Sequence, residues 1–417
     1  MVPGDIEGHP LRHQLLVTVT GQDRPGIAAT LFSALDGVDA NVTDIGQITI
    51  KGHLVLCVEL DCPEDVTPAQ VRRSVLSSDL GGDDRLQVTV SEATELPIGA
   101  IGRRLLVTLT SPSLTAAAIA RVCTVIFESG GTCERVVQLA TYPVQCYELV
   151  VLGADHGLLR TALAAESSRS GIDLAVQRAG LHRRAKRLVV LDADSTLLTD
   201  EVIDLLAAEA GVEREVAAIT ETAMKGGMEF AAALAARVSL LEGLSVDALA
   251  AVAQRLELAP GAGTLVRTLR RLGFATAVVS GGFHEVLDPM CADLGVDRVA
   301  ANRLVVADGR LTGAIDGPIV DRVGKASALR RFAEELGVPL TQTVAVGDGA
   351  NDVDMIAIAG LGIAFNARPV VRDAADAAIS VPYLDAVLFL LGIPREEIEA
   401  AEEPGPGDAL NETESVQ

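Results

Sequence analysis

Apolar and polar residues alternate along "QLLVTVTG" from Gln14 and again along "RLLVTLTS" from Arg104. A period of two predicts a strand with one covered face. Each run turns into a stretch with apolar residues at helical spacing, "IAATLFSAL" and "AAAIARVCTVI", which predicts a helix packed on that strand. In the first copy "NVTDIGQITI" and "HLVLCVEL" follow, joined by Lys51-Gly52, a hairpin signal. A helix near Ala69–Ser78 and the strand "LQVTV" close the unit. The second copy repeats the order with "CERVVQLAT", "QCYELVVLG", a helix near Leu158–Ser168 and "IDLAVQRA". Two α+β units of βαββαβ order are therefore expected, over 14–95 and 103–180, after an N-terminal tail over 1–13.

The pattern changes after "HRRAKR" (His182–Arg187), which reads as a basic, solvated linker. "LVVL", "FATAVV", "TVAVG", "LGIAF" and "AAISV" are nearly continuous apolar runs, as strands of a parallel sheet covered on both faces require. "AGTLVRTLRRLG" places Leu265, Val266, Leu269 and Leu272 on one side of a covering helix. Asp308-Gly309 marks a hairpin. Between about 200 and 258 four short helical patterns follow one another without a strand, directly after the first strand, where a lid over the strand ends belongs. The fold class is thus α/β, a doubly wound parallel-sheet core over 185–398 with an all-helical cap. The acidic, Pro- and Gly-rich segment 399–417 is expected to be a disordered tail.

Composition narrows the partners. Of 417 residues 49% are hydrophobic and only 3% aromatic, with no Trp, which leaves no platform for stacking nucleic-acid bases. A formal charge of −23 also argues against nucleic acid or an anionic membrane as partner. The six cysteines form no Cys-x-x-Cys pair and the six histidines are dispersed, so a zinc site is not expected and the thiols read as reduced. No signal-peptide pattern opens the chain and no apolar run is long enough to span a bilayer. A cytoplasmic protein is expected.

The candidate chemistry sits at the predicted strand ends, where doubly wound sheets bind ligands. The first strand runs into Asp192-x-Asp194, the second into Ser280-Gly281-Gly282, and the third into Gly347-Asp348-Gly349-Ala350-Asn351-Asp352. Lys325 stands near the start of a helix between the last two. Each motif alone is commonplace; together they bring carboxylates, a hydroxyl and an ammonium to one crevice. Clustered carboxylates repel unless a hard cation lies among them, and oxygen donors without His or Cys select Mg²⁺. Asp192, Asp348 and the main-chain carbonyl of Asp194 would hold it, while Ser280, the N–H groups near Gly281, and Lys325 would receive a phosphate. A locally positive pocket inside an acidic protein follows.

These motifs resemble the haloacid dehalogenase superfamily. The resemblance implies phosphoryl transfer through an aspartyl phosphate, with Asp192 as nucleophile and Asp194 as general acid and base. Asp352 would support Lys325 and the metal's waters. "DADST" followed by Glu201, then "AMKGGMEF" and "RVSLLEGL", resembles the phosphoserine phosphatases within it across residues 187–390. That resemblance implies Mg-dependent hydrolysis of O-phospho-L-serine to L-serine and phosphate, the last step of serine synthesis. Glu201 would grip the substrate ammonium, Arg237 its carboxylate, Met224 and Phe230 would form the apolar lid, and Asn351 would add an amide contact. The two repeats resemble ACT domains, which implies amino-acid binding, with serine the economical effector, and a homodimer. Asp23, Pro25 and Gly26 of "GQDRPGI" and Asn41 would form the regulatory site; the second copy has "SPSLTA" there and lacks the Pro-Gly step. Another small phosphomonoester, transfer to another alcohol, and an amino-acid sensor with a non-catalytic core remain the alternatives.

Overall fold

The computed structural model describes residues 12–93, 104–224 and 227–402; the side chains of His182, Met224 and Glu402 fall outside that description. Two compact units, Met1–Ile98 and Gly99–Gln417, make up the chain. Among the described residues no helix is long and apolar enough to cross a membrane.

In the first unit the strand Arg12–Gln22 lies antiparallel between His53–Pro63 and Leu86–Glu92, with Asn41–Ile50 as the edge strand beyond His53–Pro63. Alternation does what the sequence asks of it. Leu15, Val17 and Val19 are buried, and they join Ile27, Leu31 and Leu35, one turn apart on the helix Ile27–Leu35, in one apolar core. The second helix, Pro68–Leu76, starts on a reciprocal cap in which Thr67 and Gln70 satisfy each other's backbone N–H groups. Lys51 and Gly52 both take positive φ, 50° and 77°, the backbone a two-residue hairpin turn needs.

The second βαββαβ copy belongs to the second unit. Its strands Thr132–Ala140, Gln145–Leu152, Leu105–Ser111 and Asp173–Arg178 stand in that order across an antiparallel sheet, with the helices Ala116–Glu128 and His156–Ser170 on one face. Arg12–Gln22 alternates between buried and half-buried positions, whereas every residue of Leu105–Ser111 is buried. The cause is docking: Leu139, Ala140, Val144, Cys146 and Ala175 share an apolar cluster with the parallel-sheet core that follows. Polar contacts fix the same seam. The Asp173 carboxylate accepts from Ser380 N at 2.5 Å and Ser380 Oγ at 2.7 Å.

The expected solvated linker is overturned at two of its residues. Arg183 forms a largely buried ion pair with Glu148 at 2.5 Å and donates through Nε to Leu390 O at 3.1 Å. Lys186 is buried, donates to Thr341 O at 2.8 Å, and is pushed down to about 8 by that burial. The basic run is a clasp because both faces of the joint are apolar and its backbone carbonyls need donors.

Beyond it lies a seven-stranded sheet. Leu188–Leu191 is central, with Ala275–Phe283, Arg298–Ala307 and Arg310–Asp316 on one side and Thr343–Gly347, Gly362–Phe365 and Ala377–Ile379 on the other. All neighbours are parallel except Arg310–Asp316. Leu188 and Val190 face one apolar layer and Val189 and Leu191 the other, so the strand has no polar face, as a doubly covered sheet demands. Four helices, Val202–Ala210, Glu213–Met224, Phe230–Ser239 and Val246–Ala253, form the cap. Its two connecting chains are tied to each other: Thr199 N donates to Glu257 O and Ala259 N to Leu197 O. The helix Arg395–Glu402 continues past the boundary expected for a disordered tail at 398, and residues 403–417 lie outside the described residues, as do 1–11 of the expected N-terminal tail.

Candidate active site

The strand Leu188–Leu191 ends in a wide turn over Ala193–Leu197, in which Leu198 N donates back to Ala193 O at 2.8 Å. Ser195 takes φ 57° there, a left-handed backbone that costs on the order of 1 kcal/mol for a residue with a side chain. The turn presents Asp192 and Asp194 to different partners. Asp192 Oδ1 accepts from Ala193 N at 2.8 Å and Lys325 Nζ at 2.6 Å. Asp194 Oδ1 accepts from Val202 N at 2.9 Å, at the base of the cap, and Oδ2 from Ser280 Oγ at 3.4 Å.

Lys325 is fully buried and lies between two acids, reaching Asp352 Oδ1 at 2.7 Å on its other side. Asp352 is held in turn by Gly349 N at 2.9 Å. Its carboxylate packs so closely on Gly347 that a Cβ there would come within 2.4 Å of it, which explains the glycine that opens the GDG motif. Asp348 accepts from Thr196 Oγ1 at 3.0 Å. Ser280 is fully buried and its Oγ also accepts from Gly282 N at 2.8 Å.

Electrostatics follow from this crowding. Burial pushes the Asp192 carboxyl up, and the neighbouring Asp352 adds to it, while Lys325 opposes both. Burial alone would drive the Lys325 ammonium down, but Asp192 and Asp352 outweigh it and hold the charge. Asp348 is pushed up to about 6 by burial and by Asp352, and Asp194 to about 6 by burial against the Val202 hydrogen bond. Ligand oxygens of Asp192, Asp348 and Asp352 lie within 4.8 Å of one another. Three carboxylates against one ammonium leave two uncompensated negative charges, and the donors are all oxygen: a set suited to a divalent hard cation. Asp352 is the one of the three already engaged on both oxygens, so Asp192 and Asp348 are the pair with capacity to spare.

Between this floor and the cap is a cavity of about 390 Å³. Glu201, the residue before the first cap helix, and Arg237, in the last turn of Phe230–Ser239, both line it, as do Phe230, Gly281 and Asn351. Arg237 is buried; its Nη1 lies 3.5 Å from Thr220 Oγ1, and its Nε has no hydrogen-bond partner among the described residues. Glu201 opens onto the cavity, yet the protein around its carboxyl strips hydration and raises it, with Asp204 adding to the shift and Arg237 and Arg368 opposing.

The structure thus gathers Asp192, Asp194, Glu201, Arg237, Lys325 and Asp348 around one cavity. Met224 ends the helix Glu213–Met224 and its side chain lies outside the described residues; Met228, which the sequence did not single out, lines the cavity. Asn302 was also missed. It is buried in the strand Arg298–Ala307, donates to Gly281 O at 2.8 Å and accepts from Val320 N at 2.8 Å, so it sets the Gly281 peptide. An amide inside the apolar run "RVAANRLVVA" was its signal.

The residues expected to form a regulatory site are placed less compactly. Gly26 takes φ 93° before the helix Ile27–Leu35, and Pro25 precedes it. A Cβ on Gly26 would meet nothing within 4 Å among the described residues, so the glycine serves backbone conformation there. Asp23 accepts from Thr49 Oγ1 at 3.1 Å, near the hairpin end of the sheet. Asn41 faces Asp61 at the opposite end of that edge strand. One chain does not bring Asn41 to the Gly26 turn.

Comparison with known proteins agrees with this architecture. Residues 189–357 match the haloacid dehalogenase-like hydrolases, and 13–81 and 104–177 each match ACT domains. The phosphoserine phosphatase of Streptomyces coelicolor is 50% identical over 388 residues, covering 93% of this chain and 94% of that protein. Phosphoserine phosphatase SerB2 of Mycobacterium tuberculosis is 46% identical, covering 94% and 96%. Among solved structures, a probable phosphoserine phosphatase from Vibrio cholerae superposes with a TM-score of 0.54 at 31% identity, over 72% of this chain and 88% of that one. With a shared identity of this size along nearly the whole chain, and with carboxylates, lysine and cap assembled as described, the chain belongs to the phosphoserine phosphatase family, a haloacid dehalogenase-like hydrolase preceded by two ACT domains.

Proposed function

We propose that this protein hydrolyses O-phospho-L-serine to L-serine and phosphate in the cavity between sheet and cap. The observation that carries the reading is the pairing, in one cavity, of a buried Arg237 with an unpartnered Nε and an acidic Glu201. A buried guanidinium donor left unpaired is costly, and an amino acid's carboxylate satisfies it while the ammonium meets Glu201. Few ligands other than an amino-acid phosphate need an acid, a base and a phosphate clamp together.

Asp192, Asp348 and the Asp194 carbonyl would hold Mg²⁺, which when bound neutralises the phosphate and the acids around it. The chain's own groups account for the rest. Two donors on Asp192 Oδ1 fix the rotation of the nucleophile. An Asp192 oxygen forms a bond to phosphorus as the bond to the serine oxygen breaks. Lys325 and the donors at Ser280 and Gly281 stabilise charge on the phosphoryl oxygens. The leaving oxygen takes a proton from the Asp194 carboxyl, which burial makes a better proton carrier near neutrality than an ordinary aspartate. In the second half-reaction the Asp194 carboxylate takes a proton from water as that oxygen bonds phosphorus. The Asp192–phosphorus bond then breaks, releasing phosphate and restoring both acids.

The test is phosphate release from phosphoserine by wild type beside Asp192→Asn, with and without chelator. The expected loss in kcat is about 10⁴-fold or more. Equal turnover in the two proteins would remove Asp192 from the chemistry.

The ACT domains extend the reading to an amino-acid effector, serine by the economy of product feedback, at the Asp23–Gly26 turn. They extend it also to a homodimer in cytoplasm, paired through Asn41–Ile50. All ten residues of that edge strand are exposed, apolar Val42, Ile45, Ile48 and Ile50 among them, an edge that invites a partner strand. Sedimentation velocity at micromolar concentration should return a dimer; a monomer refutes the pairing.

A further inference from the structure

Among the described residues, Arg368 is the cavity-lining cation for which neither the motifs nor the chemistry above has a use. It follows the strand Gly362–Phe365, precedes the helix Pro369–Ala374, and lines the cavity while remaining exposed. Its backbone is fixed on both sides. The residue before a proline is confined to extended conformations, and Arg368 has φ −65° and ψ 155°. Its N–H reaches Asp348 O at 3.4 Å, tethering this loop to the one that carries the GDG motif. The guanidinium's field reaches Glu201 across the cavity, as does that of Arg237.

Position and charge together give it a task that neither buried cation can perform. Lys325 and Arg237 are buried in the floor and the cap, so an approaching ligand meets them only after it has entered. The chain as a whole carries −23, and the substrate approaches with a phosphate dianion and a carboxylate against one ammonium. Long-range repulsion therefore opposes entry, and the exposed end of the cavity is where a positive charge changes it most. We infer that Arg368 is a substrate-steering residue, a cation at the cavity mouth that draws the phosphorylated amino acid past the acidic surface and into the site. This rests on the reading of the cavity as a phosphomonoester site.

Steering has a distinctive readout because it acts before chemistry and is screened by salt. At about 10 mM ionic strength, where the screening length is roughly 30 Å, Arg368→Gln should lower kcat/KM for phosphoserine about three- to tenfold with kcat unchanged. Arg368→Glu should lower it further, and Arg368→Lys should restore it. At about 0.5 M salt the variants should converge on wild type to within roughly twofold. Competitive inhibition by inorganic phosphate, read with p-nitrophenyl phosphate as reporter at the same salt concentrations, should weaken in the same order. That arm does not depend on which ester is the natural substrate. A wild type inert toward phosphoserine but showing this order with phosphate would sink the substrate assignment and leave the steering intact. The inference is overturned if Arg368→Gln matches wild type at every ionic strength. It is equally overturned if kcat and kcat/KM fall together by a factor that salt does not change, because the residue then acts in the chemical step.

Discussion

The floor and the mouth of the cavity are built on opposite terms. On the floor, Asp192, Ser280, Lys325 and Asp352 are buried and hydrogen-bonded to one another or to backbone, with every element delivered by a strand end or the first turn of a helix. At the mouth Glu201 faces solvent, and in the cap Arg237, though buried, keeps its Nε without a hydrogen-bond partner among the described residues. On the proposed reading, the phosphoryl-transfer apparatus is assembled before a ligand arrives, whereas the groups that would recognise the amino acid await it. Preorganised charges cost no rearrangement at the moment of reaction, and unsatisfied ones convert their satisfaction into binding.

The sharpest way to break that contrast is to remove the charge at the centre of the floor. Lys325→Ala leaves Asp192 and Asp352 facing each other without their shared counter-ion. Loss of one partner from a buried ionic cluster costs about 3–5 kcal/mol, and loss of a preorganised charge at the phosphoryl group costs about 10²–10³ in kcat. The pH dependence has a definite sign. Asp192, already raised above its unfolded value by burial and held back by Lys325, would then be raised further. A carboxyl so raised is tolerated protonated and penalised ionised, so the variant's deficit should grow as pH rises from the ordinary carboxylate range toward the raised value. Urea midpoints across pH for variant and wild type measure it. A deficit constant with pH would mean the lysine's role is packing alone.

Legibility in the sequence divides along the same line. The floor could be read because phosphoryl transfer requires particular residue types at strand ends, and Asp192, Asp194, Ser280, Lys325 and Asp348 announce themselves by motif. Thr196, Asn302, Met228 and Arg368 could not, because each matters through what it touches across the fold: Asp348 for Thr196, the Gly281 carbonyl for Asn302, the cavity for the other two. The repeats teach the same lesson. "LLVTVTG" and "LLVTLTS" are nearly the same strand, but only the second is buried throughout, because a sheet face that a strand's own pattern leaves half-polar can still be covered by a neighbouring domain. Arg183 and Lys186 looked like solvated linker for that reason; their burial belongs to the docking, which no local pattern records.

The mouth can be tested more gently, through Glu201. On the proposed reading its ionised form is the one that pairs with the substrate ammonium, and loss of hydration raises its carboxyl above the ordinary glutamate value. Acidification should therefore weaken phosphoserine binding at a higher pH than an exposed glutamate would, with KM rising by at most about tenfold per pH unit below the free-enzyme value. The substrate's phosphate titrates near pH 6 and would confuse a single profile. The phosphate ester of 3-hydroxypropionate, which keeps the phosphate and carboxylate but lacks the ammonium, carries that titration without Glu201's contribution. The ratio of the two KM values isolates the pairing. In wild type the ratio should climb as pH falls; in Glu201→Gln it should be flat and near the acid limit, with kcat changed far less than KM. A ratio independent of pH in wild type, or a climb that survives in Glu201→Gln, would place the ammonium contact on another residue, and the mouth would no longer be the half of the cavity that reads the amino acid.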